Sequence, residues 1–170
     1  MKVKDADIIF IAGDPVVDEG HWLARWQSKL STGRRLTIGG GDATDETTRQ
    51  VVDAVDKATR PVVLVAHGEA VPVIVRAAGK FTARIAGAFM VAPSTTNSAP
   101  LPHDPLPFPS LLVASRDDPN CDFSTAEELG AGWGSLFIDA GNAGGLNVAS
   151  GHGPWPEGSM TFARFVSRLQ

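Results

Sequence analysis

Cysteine, tyrosine and surplus positive charge are scarce or missing in this chain of 170 residues. The single cysteine, Cys121, excludes an internal disulfide framework and any zinc site that needs several cysteines. Lysine and arginine number 15 against 19 aspartates and glutamates, which gives a net charge of −4. Because this balance provides no basic surface, we predict no nucleic-acid partner. The absence of tyrosine carries no information about the function of the protein.

Long hydrophobic runs are also missing. No apolar stretch reaches the length of about 18 residues that a membrane-spanning helix needs, and the apolar run near the N-terminus is too short for a signal peptide. The composition, with 43% hydrophobic and 20% charged residues, is that of an ordinary globular protein. We therefore predict a single cytoplasmic domain over residues 1–170, with no membrane partner.

Short apolar runs alternate with helical stretches along the chain. Six runs are typical of parallel strands buried on both faces: Ile8–Ala12, Arg35–Ile38, Val62–Ala66, Gly87–Val91, Leu111–Ser115 and Leu136–Asp139. Five stretches have helical spacing: His21–Lys29, Thr47–Ala58, Ala70–Ala78, Ser124–Trp133 and Met160–Leu169. This alternation predicts a doubly wound α/β sheet. The proline-rich stretch Ala92–Ser110 is either a lid over a site or a plain connector.

The turn after the third predicted strand has the spacing of a nucleophile elbow, G-x-S-x-G. Ala66 and Ala70 meet the requirement for small neighbours, and His67 precedes the position of the nucleophile. That position holds Gly68, which has no side chain to attack a substrate. A plain strand-turn-helix with glycine at the turn would have the same sequence, so both interpretations stay open on these residues.

Other segments, in this order and spacing, extend the pattern over nearly the whole chain: Ile11–Gly13, His21-Trp22, Pro61–His67, Val91–Pro93, Pro107–Pro119 and Ser150–Gly158. On these residues the chain resembles the small serine hydrolases of the YdeN and retinoblastoma-binding-protein-nine type. The resemblance implies a compact α/β-hydrolase fold, with about six mostly parallel strands in the order 2-1-3-4-5-6 and helices on both faces. It also implies a Ser–Asp–His triad, no cofactor and hydrolysis of carboxylic esters or related acyl compounds.

The resemblance places the three triad positions on this sequence. The nucleophile position falls on Gly68, the acid on Asp118, and the histidine, in the turn Gly144–Asn147, on Gly145. Only the carboxylate has a side chain that can take part in the reaction. Because the mechanism needs a nucleophile and a base for its proton, the resemblance predicts a catalytically impaired enzyme.

An oxyanion hole beside this turn is predicted from backbone N–H groups of Glu69 and of the loop near Asp14. The pocket would be walled by Gly13, Asp14, His67 and Glu69. The acidic side chains of Asp14 and Glu69 would disfavour a negatively charged ligand.

Substitute catalytic groups are few. His152 is the candidate base, since it follows Gly145 in the same irregular loop and could reach Asp118. We interpret His21 and His67 as packing residues and His103 as solvated. The candidate nucleophiles that do not stand at an elbow are Ser94, Ser115, Ser150 and Cys121. Asp117 is interpreted as a turn residue, and His67-x-Glu69 as a chance pattern, because the paired cysteines of a zinc deaminase are absent. No metal is predicted.

Three functional hypotheses follow. The first is a pseudoenzyme that retains a pocket at Gly68, Asp118 and Gly145 for a small molecule or a protein partner. The second is an active hydrolase with rearranged groups such as His152 and Asp118. The third is a protein-binding module, which a large exposed apolar patch would favour.

Overall fold

A computed structural model describes residues 1–13, 18–38, 45–96 and 99–170. Its sheet contains six strands, all parallel, in the order β2-β1-β3-β4-β5-β6. The strands are β1 Asp7–Ala12, β2 Gly33–Thr37, β3 Val62–His67, β4 Ile85–Val91, β5 Ser110–Ala114 and β6 Leu136–Asp139. The helices are α1 Trp22–Lys29, α2 Asp45–Val55, α3 Ala70–Ala77, α4 Phe123–Trp133 and α5 Pro156–Ser167. Short 3₁₀ turns lie at Val3–Asp5 and Val148–Ser150.

The two faces of the sheet carry separate cores because successive strand residues point to opposite sides. On β1, Ile8 and Phe10 pack with α1 and α5, whereas Ile9 and Ile11 pack with α2 and α3. The first core is rich in aromatic rings, and the second is built mostly from valine, leucine and isoleucine. Helices therefore cover both faces of the sheet, as the sequence predicts.

The edge strands differ from the sequence interpretation, which treated all six strands as buried on both faces. β2 carries Arg34 and Arg35 and has no fully buried residue. On β6, Leu136 is 54% exposed and Ile138 is 37% exposed. The prediction was wrong for these two strands, which lie at the edges of the sheet with a neighbour on one side only and are less completely covered than the central strands.

The proline-rich stretch between β4 and β5 packs along α3 and α4 where the structure describes it. Trp133 Nε1 donates to the Pro102 carbonyl at 2.8 Å, and an Arg76 nitrogen donates to the Ala99 carbonyl at 2.8 Å. Leu101 and Phe108 are buried in the core on that face. These contacts favour a connector over a lid, because they fix the stretch to the flank of the sheet rather than to the carboxyl ends of the strands.

Candidate functional site

The candidate site lies at the edge of the sheet where the carboxyl ends of the parallel strands meet. β3 ends at His67 and α3 begins at Ala70, which leaves Gly68 and Glu69 as the turn. Gly68 has a φ of +61°, in the left-handed region that favours glycine. Its N–H donates to the Val91 carbonyl at 2.9 Å. This hydrogen bond fixes the turn to the neighbouring strand β4.

Space beside Gly68 is open. A Cβ atom placed on this residue would meet no atom within 4 Å among the described residues. Ala66 and Ala70, two residues to either side, are fully buried and small. The turn therefore has the sharp backbone of an elbow and room for a side chain. A larger residue at position 68 would be strained by the backbone angle and not by its neighbours.

His67 connects this turn with the loop that follows β6. Its Nε2 atom lies 2.8 Å from the Gly145 carbonyl oxygen, which can only accept, so Nε2 carries the proton. Burial lowers the pKa of His67 below its usual range and keeps the ring neutral. The residue that precedes Gly68 is thus in direct contact with Gly145.

Two neighbouring aspartates after β5 have different environments. Asp118 is half-buried and accepts the N–H of Asn120 at 2.9 Å. Burial, followed by the nearby charge of Asp117, raises the pKa of Asp118 above its usual range. Asp117 is exposed, and hydrogen bonds from the Gly144 N–H and the Ser115 hydroxyl lower its pKa.

Asp117 and Ser115 form hydrogen bonds that reach the loop that carries Gly145. Asp117 Oδ1 accepts the Gly144 N–H at 2.8 Å and the Ser115 hydroxyl at 2.9 Å. Ser115 Oγ in turn accepts the Ala143 N–H at 3.0 Å. From the sequence, Asp117 is interpreted as a turn residue and Ser115 as a candidate nucleophile. The signal for a role in the site was their position within three residues of the end of a buried strand.

The space at Gly145 is restricted. A Cβ atom there would lie 2.8 Å from Asn147 Nδ2. The Asn147 side chain is itself held, because its Oδ1 accepts the Ser150 N–H at 3.1 Å while Ser150 Oγ accepts the Asn147 N–H at 3.0 Å. This reciprocal cap closes the 3₁₀ turn Val148–Ser150.

His152 contacts Ser150, with 2.8 Å between Nδ1 and the hydroxyl oxygen. Among the residues that the structure describes, no hydrogen bond joins His152 to Asp118. His152 lines a cavity of about 450 Å³ beside the ends of β5 and β6, together with Asp139 and Glu157. The predicted movement of His152 towards Asp118 therefore has no counterpart in this arrangement.

The remaining predicted site residues lie near the first loop. Asp14 is outside the described residues. A Cβ atom on Gly13 would lie 3.6 Å from Glu69 Cβ, so Glu69 packs against Gly13.

His21 is 5% exposed, and its ring centroid lies 4.9 Å from that of His67. Its Nδ1 accepts the Leu23 N–H at 3.1 Å and caps α1. Burial, followed by the proximity of His67, lowers the pKa of His21 to about 3.

The sequence model of the serine hydrolase family matches residues 8–164. The chain belongs to the serine hydrolase family. A search among curated proteins gave no significant match.

Several solved structures share the fold of this serine hydrolase. A YdeN-like hydrolase from Pectobacterium atrosepticum is 24% identical, with a TM-score of 0.83 over 95% of this chain and 91% of its own. The ydeN gene product of B. subtilis is 14% identical, with a TM-score of 0.73 over 96% of this chain and 100% of its own. The esterase domain of a Rhodothermus marinus protein is 13% identical, with a TM-score of 0.70 over 98% of this chain and 88% of its own.

These similarities confirm the predicted α/β-hydrolase fold and its strand order.

In the described part of this serine hydrolase, no three histidine, cysteine or carboxylate side chains are placed to hold a metal ion. No helix among the described residues is long and apolar enough to cross a membrane. His103 is exposed, as expected. Cys121 is buried, and burial, with a smaller contribution from nearby carboxylates, raises the pKa of its thiol.

Proposed function

We propose that this serine hydrolase is a pseudoenzyme that binds a small ligand at the Gly68 turn without hydrolysing it. One observation carries the proposal: Gly68 has the left-handed backbone of an elbow and no side chain, beside open space. The family match supports hydrolase ancestry. In other hydrolases, removal of triad residues lowers the turnover number on the order of 10⁶-fold. Only the rate enhancement from substrate binding and the oxyanion hole then remains.

The assignment of the other positions is part of the same proposal. Asp118 takes the position of the triad acid and Gly145 that of the histidine. The contact between His67 and Gly145 supports this placement, because it brings the two glycine positions to one crevice. Because Gly145 supplies no imidazole, the carboxylate of Asp118 would have no base to orient at this position.

The ligand we infer is neutral. Glu69 stands in the turn, and Asp117 and Asp118 follow the strand that lies next to β4. A carboxylate ligand would meet these like charges, whereas a neutral ester or amide would not. The proposed domain comprises residues 1–170, and the single buried thiol of Cys121 suits the reducing environment of the cytoplasm.

The catalytic part of the proposal is tested with a fluorophosphonate probe and short p-nitrophenyl esters on the purified protein. We expect no labelling that depends on the fold and no turnover above that of heat-unfolded protein. Stoichiometric labelling of one residue, lost on unfolding, together with ester turnover, would reject the pseudoenzyme.

The binding part is tested by thermal unfolding with ethyl butyrate and with butyrate. A ligand that binds only the folded state raises the melting temperature. We expect a rise with the ester alone, and its loss in Gly68→Leu, which fills the open space. Gly79→Leu is the matched control, since Gly79 is also free of close neighbours but lies at the end of α3. An ester-induced shift that survives in Gly68→Leu would contradict binding at this turn.

A second candidate function rests on the 2.8 Å contact between Ser150 Oγ and His152 Nδ1. This pair could activate a hydroxyl outside the elbow, with hydrolysis as the result. The same hydroxyl already accepts the Asn147 N–H and caps a turn, which favours a structural role. If Ser150→Ala, His152→Ala and Asp118→Asn each abolish a measurable esterase activity of the parent, the active hydrolase is the correct function.

A further inference from the structure

A second cavity, of about 430 Å³, lies on the face of the sheet that α1 and α5 cover. None of Gly68, Asp118 and Gly145 lines it, so it is separate from the candidate site. Its volume falls within the range of about 300–1,000 Å³ that is typical of small-molecule pockets. The cavity therefore has room for a ligand that the proposed function does not involve.

The walls of this cavity are aromatic and aliphatic. Trp26 and Trp155 stack with their ring centroids 5.7 Å apart and an interplanar angle of 11°. Phe162 lies 5.5 Å from Trp26, and Leu30 and Val3 complete the apolar lining. Contact with such walls favours an apolar ligand body, because it removes hydrocarbon surface from water.

The rim of the cavity is positively charged. Arg25 and Lys29 line it and are one helical turn apart on α1, so both side chains lie on the same side of the helix. Neither forms an ion pair with any side chain that the structure describes. Like charges at this spacing repel each other slightly in the absence of an anion. A negatively charged group at the rim would relieve that repulsion.

The charge of the rim is specific to this cavity. The cavity beside β5 and β6 shares Trp155 but carries Asp139 and Glu157. The protein as a whole has a net charge of −4, so a cationic rim is not a property of its whole surface. Charge complementarity thus selects an anion for the cavity between α1 and α5 and disfavours one in the cavity beside β5 and β6.

We propose that the cavity between α1 and α5 binds an amphipathic carboxylate, with its hydrocarbon body against Trp26, Trp155 and Phe162 and its carboxylate at Arg25 and Lys29. A medium-chain fatty acid has this chemistry. The site takes no part in the proposed function at Gly68, and neither proposal depends on the other.

Calorimetric titration of the whole protein with decanoate, below its micelle concentration, tests the site. We expect saturable binding of decanoate and weaker binding of decanol, which has the same chain without the charge. Each exposed ion pair contributes about 0.2–1 kcal/mol, so Arg25→Gln with Lys29→Gln should weaken decanoate binding by about twofold to thirtyfold and leave decanol unchanged. Arg164→Gln with Arg168→Gln, which removes two exposed cations near the end of α5, should change neither affinity.

A blocking variant tests the location. Ala163 is exposed on α5 and lines the cavity, so Ala163→Leu should fill it and weaken the binding of both ligands at least about tenfold. Its folding is checked by thermal unfolding, and Ser159→Leu serves as a second blocking variant. The proposal is overturned if decanoate does not bind the parent, if decanol binds as tightly, or if the double glutamine variant or the folded blocking variants bind decanoate unchanged.

Discussion

The turn after β3 and the loop after β6 each carry a glycine to which we have assigned a triad position, yet their surroundings differ. At Gly68 the space is open and the backbone angle is unusual. At Gly145 the backbone angle is ordinary, and the neighbouring Asn147 occupies the space that a Cβ atom would need. A new side chain would thus be resisted by backbone strain in the first region and by crowding in the second.

The two regions also differ in how they are held. Hydrogen bonds to strand β4 and the start of α3 fix the Gly68 turn. Several side chains hydrogen-bond to the Gly145 loop, including Asp117, Ser115, His67 and Trp22, and the pair Asn147 and Ser150 closes it. The loop therefore depends on a few polar contacts that single substitutions can remove.

Introducing both a nucleophile at position 68 and a base at position 145 should have the largest effect on esterase activity. Gly68→Ser alone supplies a hydroxyl without a base and is expected to stay inactive. Adding Gly145→His supplies the base, and a general base contributes roughly 10²-fold or more, so the double variant should hydrolyse p-nitrophenyl acetate at least that much faster than Gly68→Ser. Full activity of Gly68→Ser alone would show that the base is elsewhere.

The triple variant with Asp118→Asn is the control for that rescue. If Asp118 orients the restored histidine, the triple variant should lose most of the recovered rate. If the same loss follows from Asp117→Asn but not from Asp118→Asn, the acid position belongs to Asp117, which contacts the loop at Gly144.

Ser115→Ala should destabilise the protein, because the Ser115 side chain holds the loop after β6. Ser115 is 1% exposed, and its hydroxyl accepts the Ala143 N–H and donates to Asp117. Leaving that N–H unsatisfied should lower the free energy of unfolding by about 1–3 kcal/mol in denaturant titrations. Ser28→Ala, which removes an exposed hydroxyl on α1, is the matched control and should have little effect.

Substitutions at the two glycines should separate backbone strain from crowding. Gly68→Ala should reduce stability by about 1–2 kcal/mol because alanine is strained at positive φ, and Gly68→Asn should reduce it less. At Gly145 the order should reverse, since the larger asparagine crowds Asn147 more than alanine does. Chemical denaturation of the four variants gives the measurement, and the same order at both positions would contradict the distinction.

The sequence predicted the central sheet well because the alternation of buried strands and helices is a local pattern. Boundaries moved by a few residues, as for α5, which begins at Pro156 instead of Met160. Burial of the edge strands was not predictable in this way, since the sequence does not show which strands lack a second neighbour. The predicted triad positions rest on family resemblance, whereas the roles of Ser115 and Asp117 depend on loops that meet only in three dimensions.

The buried imidazole of His21, which packs against His67 beneath the Gly68 turn, should make the stability of the protein depend on pH. Because burial lowers its pKa to about 3, the unfolded chain binds a proton at higher pH than the folded protein does. Its contribution to stability is therefore complete above the unfolded value of about 6.5 and is lost as the pH falls from there towards 3.

Between pH 7 and pH 5 this loss should amount to about 1–2 kcal/mol, once solvent screening of a partly hydrated ring is allowed for. Asp18 acts in the opposite direction, while the burial of His67 adds to the effect. His21→Asn retains a good helix cap and removes the titrating group, so urea titrations across this pH range should give a flatter profile. His103→Asn, at an exposed position, should keep the slope of the parent, and a His21→Asn profile as steep as that of the parent would assign the pH dependence to His67.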